Sequence, residues 1–280
     1  MKLKYLLILS LLISIVGVWF LTKLWLPQGY VLAGHDSGLA LDVASFFKSR
    51  LYAWWPQGFG QDNSPHFGSL VIHGIDYLTS LVQGVPYAGN SPLIFFWFSI
   101  LFTSAFLFAY KLKDRLGKFS PLFFPVFIVI NFYILQSVFI LERAKYSIFI
   151  ASILFLLIAV KIAEGKIKPL LGAVLTSLVL LLFNSGSWLG IPLYGGFILI
   201  AISFALSELL WGIKEKNFLI FKRIVVFFIL TTIGFLILNA YSILPYFATL
   251  KNQDYTSLVS SSVISQNKEW LRALSQASSF

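Results

Sequence analysis

Half of the 14 acidic residues and histidines of this 280-residue chain lie in one stretch, residues 27 to 92. It contains all three histidines and four of the eleven acidic residues. They are His35, His66, His73, Asp36, Asp42, Asp62 and Asp76. Carboxylates and imidazoles act as general bases, metal ligands and hydrogen-bond partners of polar substrates. Because only 11% of all residues are charged, this concentration predicts where the functional site lies.

Asp36 is the first candidate for catalysis, in the sequence Gly34-His35-Asp36-Ser37-Gly38. A carboxylate here could deprotonate an acceptor hydroxyl group or hold a divalent cation. His35 beside it is a candidate substrate-binding residue. An Asp or Ser directly before a helix is also the usual N-cap, so a purely structural role for Asp36 is the alternative.

A glycine-rich turn follows over residues 57 to 68, with Asp62, Asn63 and His66 inside it. Glycines let a backbone approach a ligand closely, and these three polar side chains could bind that ligand. The alternative is an ordinary connection between two helices, in which Asp62 stabilises its own turn.

A third group of candidates is the charged loop Glu142-Arg143-Ala144-Lys145, which separates two apolar runs. Charges near lipid are costly unless they face water or one another. Arg143 and Lys145 could bind a phosphate, since a guanidinium contacts two oxygens at once. Glu142 could serve as a second acid. The alternative is that all three side chains reach out to the lipid headgroups.

The elements that must position these residues are apolar helices. The chain is 58% hydrophobic, with a mean hydropathy of +0.85 and 29 Phe, which excludes an ordinary soluble domain. Seven runs are long and apolar enough to cross a bilayer as helices. They cover residues 5–26, 93–112, 119–141, 146–163, 169–183, 191–211 and 225–247. The predicted fold is therefore an all-α integral membrane protein with about seven transmembrane helices.

The distribution of basic residues predicts the orientation. Most of the 21 Lys and Arg lie in short loops on the same side as the N-terminus, so that side is predicted to be cytoplasmic and the C-terminus external. Residues 27–92 and 142–145 then lie outside the cell. A cleaved signal ending at residues 31–33 is the alternative for the first run, but its apolar part is too long and too far from that point.

Two segments of the long external loop have helical periodicity. Over residues 39–54, apolar side chains oppose polar ones, and over 69–83 a polar stripe opposes an apolar one. The polar stripe consists of Ser69, His73, Asp76, Ser80 and Gln83. We expect two amphipathic helices that lie in the outer membrane interface.

Several classes of function are excluded. The chain has no Cys, so disulfide and thiolate chemistry are absent. It contains no phosphate-binding P-loop, dinucleotide fingerprint, nucleophile elbow or zincin motif. The net charge of +10 is explained by insertion topology, so no nucleic-acid partner is predicted.

The order of these features resembles that of the membrane-embedded C-type (GT-C) glycosyltransferases. The shared features are the N-in first helix, the long external loop, an acid just after the first helix and a second acid after the third predicted crossing. The residues that carry the resemblance are 34–38, 45–55, 60–64 and 239–245. Within this superfamily the chain is most similar to arabinofuranosyltransferase-like and YfhO-like multispanning proteins.

The resemblance implies a sugar donor carried on a polyprenyl phosphate and a glycan, lipid or protein acceptor on the extracytoplasmic face of the cell membrane. Asp36 matches the general base of such enzymes, and Glu142 matches the later-loop acid. These two residues would also hold a divalent cation, Mg or Mn. Arg143 and Lys145 would then hold the donor phosphate.

Members of this superfamily usually have more crossings and often an external C-terminal domain. We therefore expect residues 1–247 to form a transmembrane module and 248–280 to be an external polar tail of an N-terminal fragment. Two other functions stay open: a transporter or flippase for lipid-linked saccharides, and a non-catalytic membrane partner. The crossings are nearly free of charge, which is atypical of a transporter.

Overall fold

The computed structural model describes residues 3–26, 40–51, 54–55, 61–62, 70–87, 91–131, 143–183, 191–214, 218–241 and 243–244. Within these residues the chain forms ten helices and one pair of two-residue strands. The helices are α1 (Leu3–Trp25), α2 (Val43–Arg50), α3 (Leu70–Gln83), α4 (Ser91–Lys111), α5 (Lys113–Leu116), α6 (Ser120–Ile130), α7 (Arg143–Ala163), α8 (Pro169–Phe183), α9 (Ile191–Lys214) and α10 (Phe218–Leu238). The predicted helical class is confirmed. The predicted tail, 248–280, lies outside the described residues.

Each of the seven predicted crossings overlaps one long or apolar helix, in the order α1, α4, α6, α7, α8, α9 and α10. The bounds of the seventh are wrong, because α10 spans Phe218–Leu238 whereas the predicted run is 225–247. Three helical segments are long and apolar enough to cross a membrane: Ser91–Lys111, Lys145–Ala163 and Phe218–Leu238. The other apolar helical segments are shorter. These findings support a membrane-associated helical protein, whereas the count of seven crossings and their direction stay predictions.

The third predicted crossing is not one continuous helix. α6 ends at Ile130 because Asn131 has extended backbone angles, φ −54° and ψ 133°. An 11-residue helix is only about 17 Å long, which is shorter than the roughly 30 Å hydrocarbon core of a bilayer. Residues 132–141 of the predicted run lie outside the described residues.

α7 is the central helix because it contributes to both hydrophobic cores. Tyr146 and Ile150 pack with Trp97 of α4 in the first core, and Phe155 stacks on Phe227 of α10 in the second, with ring centroids 5.8 Å apart. The outward faces of the surrounding helices are apolar, as for Leu24 and Ile237, which are 78% and 68% exposed. Apolar outer faces around a packed interior are typical of helices that contact lipid.

The predicted external loop contains α2, the strand pair and α3. Trp54–Trp55 (β1) pairs antiparallel with Gln61–Asp62 (β2), with Trp54 opposite Asp62. The prediction of one helix over residues 39–54 is therefore wrong at its C-terminal end, because α2 ends at Arg50. The prediction of a helix over 69–83 is confirmed by α3.

Two glycines end helices in the same way. Gly165 has a φ of 73°, its N–H donates to the Ile162 carbonyl, and the next N–H, of Lys166, donates to the Lys161 carbonyl, both at 2.9 Å. This is a Schellman cap, which uses a left-handed residue to satisfy carbonyls at a helix end. Gly84, with a φ of 70°, caps α3 with the same pattern.

Substitution of Gly165 by Ala is expected to destabilise the protein more than the matched substitution Gly84→Ala. Both changes place a side chain in the left-handed region, at a cost of roughly 1–2 kcal/mol. Only at position 165 would the new Cβ also lie 2.6 Å from Nη1 of Arg223, so the flexible end of that side chain must move away at a small further cost, whereas nothing lies within 4 Å at position 84. Thermal unfolding in detergent micelles measures the difference. Equal melting temperatures for the two variants would contradict this account of the α7 cap.

Candidate functional site: a buried His73–Asp76–Arg143 cluster

A buried ion pair connects two segments that are far apart in the sequence. Arg143, the first residue of α7, donates a hydrogen bond through Nη1 to Oδ2 of Asp76 on α3. The Asp76 and Arg143 side chains are only 4% and 8% exposed. The ion pair therefore joins the predicted external loop to the N-terminal end of α7. The prediction of a loop over residues 142–145 is wrong from Arg143 onward, because this residue begins the helix.

His73 completes what we name the outer cluster, which consists of His73, Asp76 and Arg143. His73 lies one helical turn before Asp76, so both side chains lie on the same face of α3. Its Nδ1 atom is 3.6 Å from Oδ2 of Asp76. The other carboxylate oxygen of Asp76, Oδ1, is buried and has no hydrogen-bond partner within the described part of the chain. The cluster therefore presents a carboxylate that is only half satisfied.

Burial affects the pKa of Arg143 in the outer cluster. Desolvation lowers the pKa of Arg143 to about 10, because a low-dielectric environment disfavours the charged form. That value is still well above neutral pH, so the guanidinium keeps its charge at pH 7. A charged, buried guanidinium requires a counter-ion, and Asp76 provides it.

The polar face of α3 points into the protein. His73, Asp76, Thr79 and Ser80 are buried, whereas Val82 on the opposite face is 80% exposed. An amphipathic helix that lies on a membrane normally turns its polar face to water. α3 has the opposite orientation, in which Asp76 on its polar face pairs with the buried Arg143 and its apolar face is exposed.

α2 supports the outer cluster from the other side. The ring of Phe46 contacts His73 edge to face, with centroids 4.9 Å apart, and the Arg50 guanidinium lies 4.6 Å from the centre of the Phe46 ring. Asp42 begins α2 as its N-cap and accepts a 3.0 Å hydrogen bond from the Ser45 N–H. This backbone hydrogen bond lowers the pKa of Asp42, so the role of this acid is structural.

The structure covers part of the predicted site. Asp36, Glu142, His35, Asn63 and His66 lie outside the described residues, so the predicted base, second acid and metal ligands stay predictions. Within the described ranges, no group of three or more His, Cys, Asp or Glu residues could hold a metal ion.

Three predicted residues are described. Arg143 is buried against Asp76, Lys145 follows two residues later on α7 and is partly exposed, and Asp62 is in β2 opposite Trp54. Sequence reasoning missed His73 and Asp76 as site residues. The signal was available in the polar stripe of α3, because a buried acid and an imidazole one turn apart are rare in a chain this apolar.

A second polar site lies at the other end of α7, which is about 30 Å away for a 21-residue helix. Glu164 accepts hydrogen bonds from Lys111 and from Lys166, the latter at 2.9 Å. Burial alone would raise the pKa of Glu164, but the hydrogen bonds and charges of the two lysines outweigh it and hold this pKa below its usual value.

Beside Glu164 is a cavity of about 200 Å³, which we name the inner cleft. Its lining combines charged, polar and apolar side chains. They are Arg115, Val160, Ala163, Glu164, Ser207, Glu208 and Ile220. The distance between the outer cluster and the inner cleft matches the thickness of a bilayer hydrocarbon core, roughly 30 Å. The two sites therefore suit the two headgroup regions of a membrane.

The chain was compared with known proteins at three levels. No protein-family model matches it, and no curated protein or solved structure is significantly similar to it.

Proposed function

We propose that this chain is a multi-pass membrane glycosyltransferase of the GT-C type. It transfers a sugar from a polyprenyl-phosphate donor to a glycan, lipid or protein acceptor on the extracytoplasmic face of the cell membrane. One observation carries the proposal. The outer cluster joins the external loop to the start of α7 through Asp76 and Arg143. Residues 27–92 and 142–145 contain all of the predicted site residues.

The charge at the other end of the bundle supports the proposed orientation. The described residues around the inner cleft include ten bases and three acids. The bases are Lys111, Lys113, Arg115, Lys118, Lys161, Lys166, Lys168, Lys214, Lys222 and Arg223. An excess of Lys and Arg marks the cytoplasmic side of a membrane protein. The outer cluster is then extracytoplasmic.

The proposed reaction is a displacement at the anomeric carbon of the donor sugar. The acceptor oxygen forms a bond to this carbon while the bond from the carbon to the donor phosphate oxygen breaks. Asp36 takes the proton of the acceptor hydroxyl group as general base, and polyprenyl phosphate leaves. Because the donor remains anchored in the bilayer, its phosphate lies at headgroup depth, where the outer cluster is located.

The remaining residues have supporting roles in the proposal. Asp36 and Glu142 provide carboxylate oxygens, the ligands that Mg and Mn prefer, and a bound cation would stabilise the leaving phosphate. Arg143 and Lys145 hold that phosphate. Asp76 is a positioning residue, because it holds the guanidinium of Arg143 in place. His35, Asp62, Asn63 and His66 contact the substrates.

A transporter for lipid-linked saccharides is the second candidate. A buried Asp–Arg pair is the kind of feature that marks transport pathways when it lies near the bilayer midplane. Here Arg143 is the first residue of α7, which places the pair at a helix end. That position favours chemistry at the membrane surface.

The choice of donor tests the proposed function. The full chain is placed in proteoliposomes with radiolabelled pentoses and hexoses, attached either to polyprenyl phosphate or to a nucleotide. We expect label to reach an acceptor glycan only from the prenyl-linked donors, because the sequence has no nucleotide-binding motif. Transfer only from nucleotide sugars would contradict the proposal. Movement of intact donor across the bilayer without transfer would assign the chain to the transporters.

A further inference from the structure

The inner cleft is a built cavity at the junction of four elements. Arg115 comes from α5, Glu164 follows α7, Ser207 and Glu208 come from α9, and the wall is closed by Ile220 of α10. Its volume of about 200 Å³ is several times the roughly 30 Å³ that one water occupies in the liquid. The cleft can therefore hold a small polar ligand.

The charged residues that line the inner cleft differ in whether they form salt bridges. Glu164 is already neutralised by Lys111 and Lys166. Arg115 and Glu208 interact electrostatically, yet among the described residues neither forms a salt bridge within 4.0 Å. One cation and one carboxylate thus line the same cavity without touching. Glu208 is partly buried, whereas Arg115 is exposed, and a partly desolvated carboxylate favours a cationic partner.

These two charges select the chemistry of the ligand. Arg115 suits a phosphate, because a guanidinium donates two parallel hydrogen bonds to it, and Ser207 can donate a third. Glu208 suits a primary ammonium that donates hydrogen bonds to a carboxylate. A ligand that has both groups on one short linker can bridge the cavity. A purely anionic headgroup would add a negative charge near Glu208 without an ammonium N–H to donate to it, and a choline group has no N–H to donate.

The location of the cleft indicates that this ligand belongs to a membrane lipid. The cleft lies at the ends of apolar helices, about one bilayer thickness from the outer cluster, and apolar side chains form part of its wall. We propose that the inner cleft binds the phosphoethanolamine headgroup of a membrane phospholipid, with the phosphate at Arg115 and the ammonium at Glu208. This inference is independent of the transferase reaction proposed for the opposite face.

Lipid binding to the purified full chain tests this inference. Native mass spectrometry of the protein in mixed micelles would compare phosphatidylethanolamine, phosphatidylcholine and phosphatidylglycerol at equal concentrations. We expect about a tenfold preference for phosphatidylethanolamine over each of the others, since hydrogen bonds between charged groups are the strongest available here. A higher affinity for phosphatidylglycerol than for phosphatidylethanolamine would overturn the proposal.

Three variants distinguish the proposed contact of the phosphate with Arg115 from that of the ammonium with Glu208. Glu208→Gln should remove the preference for phosphatidylethanolamine over phosphatidylglycerol, whereas Arg115→Gln should weaken all three lipids. Asp114→Asn is the matched control, because Asp114 is exposed beside Arg115 and does not line the cleft. A Glu208→Gln variant that keeps the full preference would also overturn the proposal.

Two further measurements complete the test. The double swap Arg115→Glu with Glu208→Arg keeps both charges and should recover part of the preference, even if a single variant folds poorly. Soluble phosphoethanolamine should compete only weakly with the lipid, because it lacks the acyl chains. Binding of soluble phosphoethanolamine as tightly as the lipid would assign the cleft to a free metabolite and overturn the lipid proposal.

Discussion

Replacement of Arg143 by Met is expected to lower the free energy of unfolding by about 3–5 kcal/mol, the usual cost of breaking a buried ion pair. The reason is that the variant keeps the buried carboxylate of Asp76 but removes the guanidinium paired with it. Asp76 is 4% exposed, and within the described part of the chain its side chain accepts a hydrogen bond from Arg143 alone, so its negative charge would stay buried with His73 as the nearest basic group. Asp76→Asn is expected to have a loss of similar size, because it removes the buried negative charge that accepts the hydrogen bond from the Arg143 guanidinium.

Equilibrium unfolding in mixed micelles, monitored by tryptophan fluorescence, measures this effect. Lys145→Met is the matched control, since it removes the same charge from the same helix at a partly exposed position and should cost less than 1 kcal/mol, as exposed charges do. The double variant Asp76→Leu with Arg143→Met should lose much less than the sum of the two single losses. Equal losses for Lys145→Met and Arg143→Met would show that the outer cluster does not stabilise the fold.

Local patterns in the sequence were enough to predict most helices. The apolar runs that became α4, α7 and α10 are long and uninterrupted, and hydrophobicity over that length permits only a helix in a bilayer. The periodicity of residues 69–83 predicted α3 within one residue of its observed start. Charged residues between the runs also indicated where helices end, as for Glu164 after α7.

The sequence-based predictions fail where tertiary contacts determine the structure. The polar stripe of α3 has the same appearance whether it faces water or protein, and its direction is set by Arg143, 67 positions away in the sequence. Trp54 fits a helical pattern equally well, but its strand pairing with Asp62 depends on a turn whose geometry the residue types do not determine. The inner cleft could not be predicted at all, because its residues come from four separate elements.

Replacement of Asp36 by Asn is expected to lower the rate of sugar transfer about 10²- to 10⁴-fold, the usual contribution of a general base. The amide has nearly the same shape as the carboxylate but cannot accept the proton of the acceptor hydroxyl group. Folding and membrane insertion should be unchanged, since an N-cap role, if Asp36 has one, is served equally well by Asn. This change therefore separates the catalytic role of Asp36 from the structural one.

The most direct test of the proposed reaction is the initial rate of transfer from a prenyl-linked sugar, measured in proteoliposomes for three forms of the full chain. The forms are the wild type, Asp36→Asn and the control Asp114→Asn, at the opposite end of the bundle. We predict that the wild type and Asp114→Asn transfer at the same rate, while Asp36→Asn loses at least about 99% of it. A normally inserted Asp36→Asn variant that transfers at the wild-type rate would contradict the assignment of Asp36 as the base.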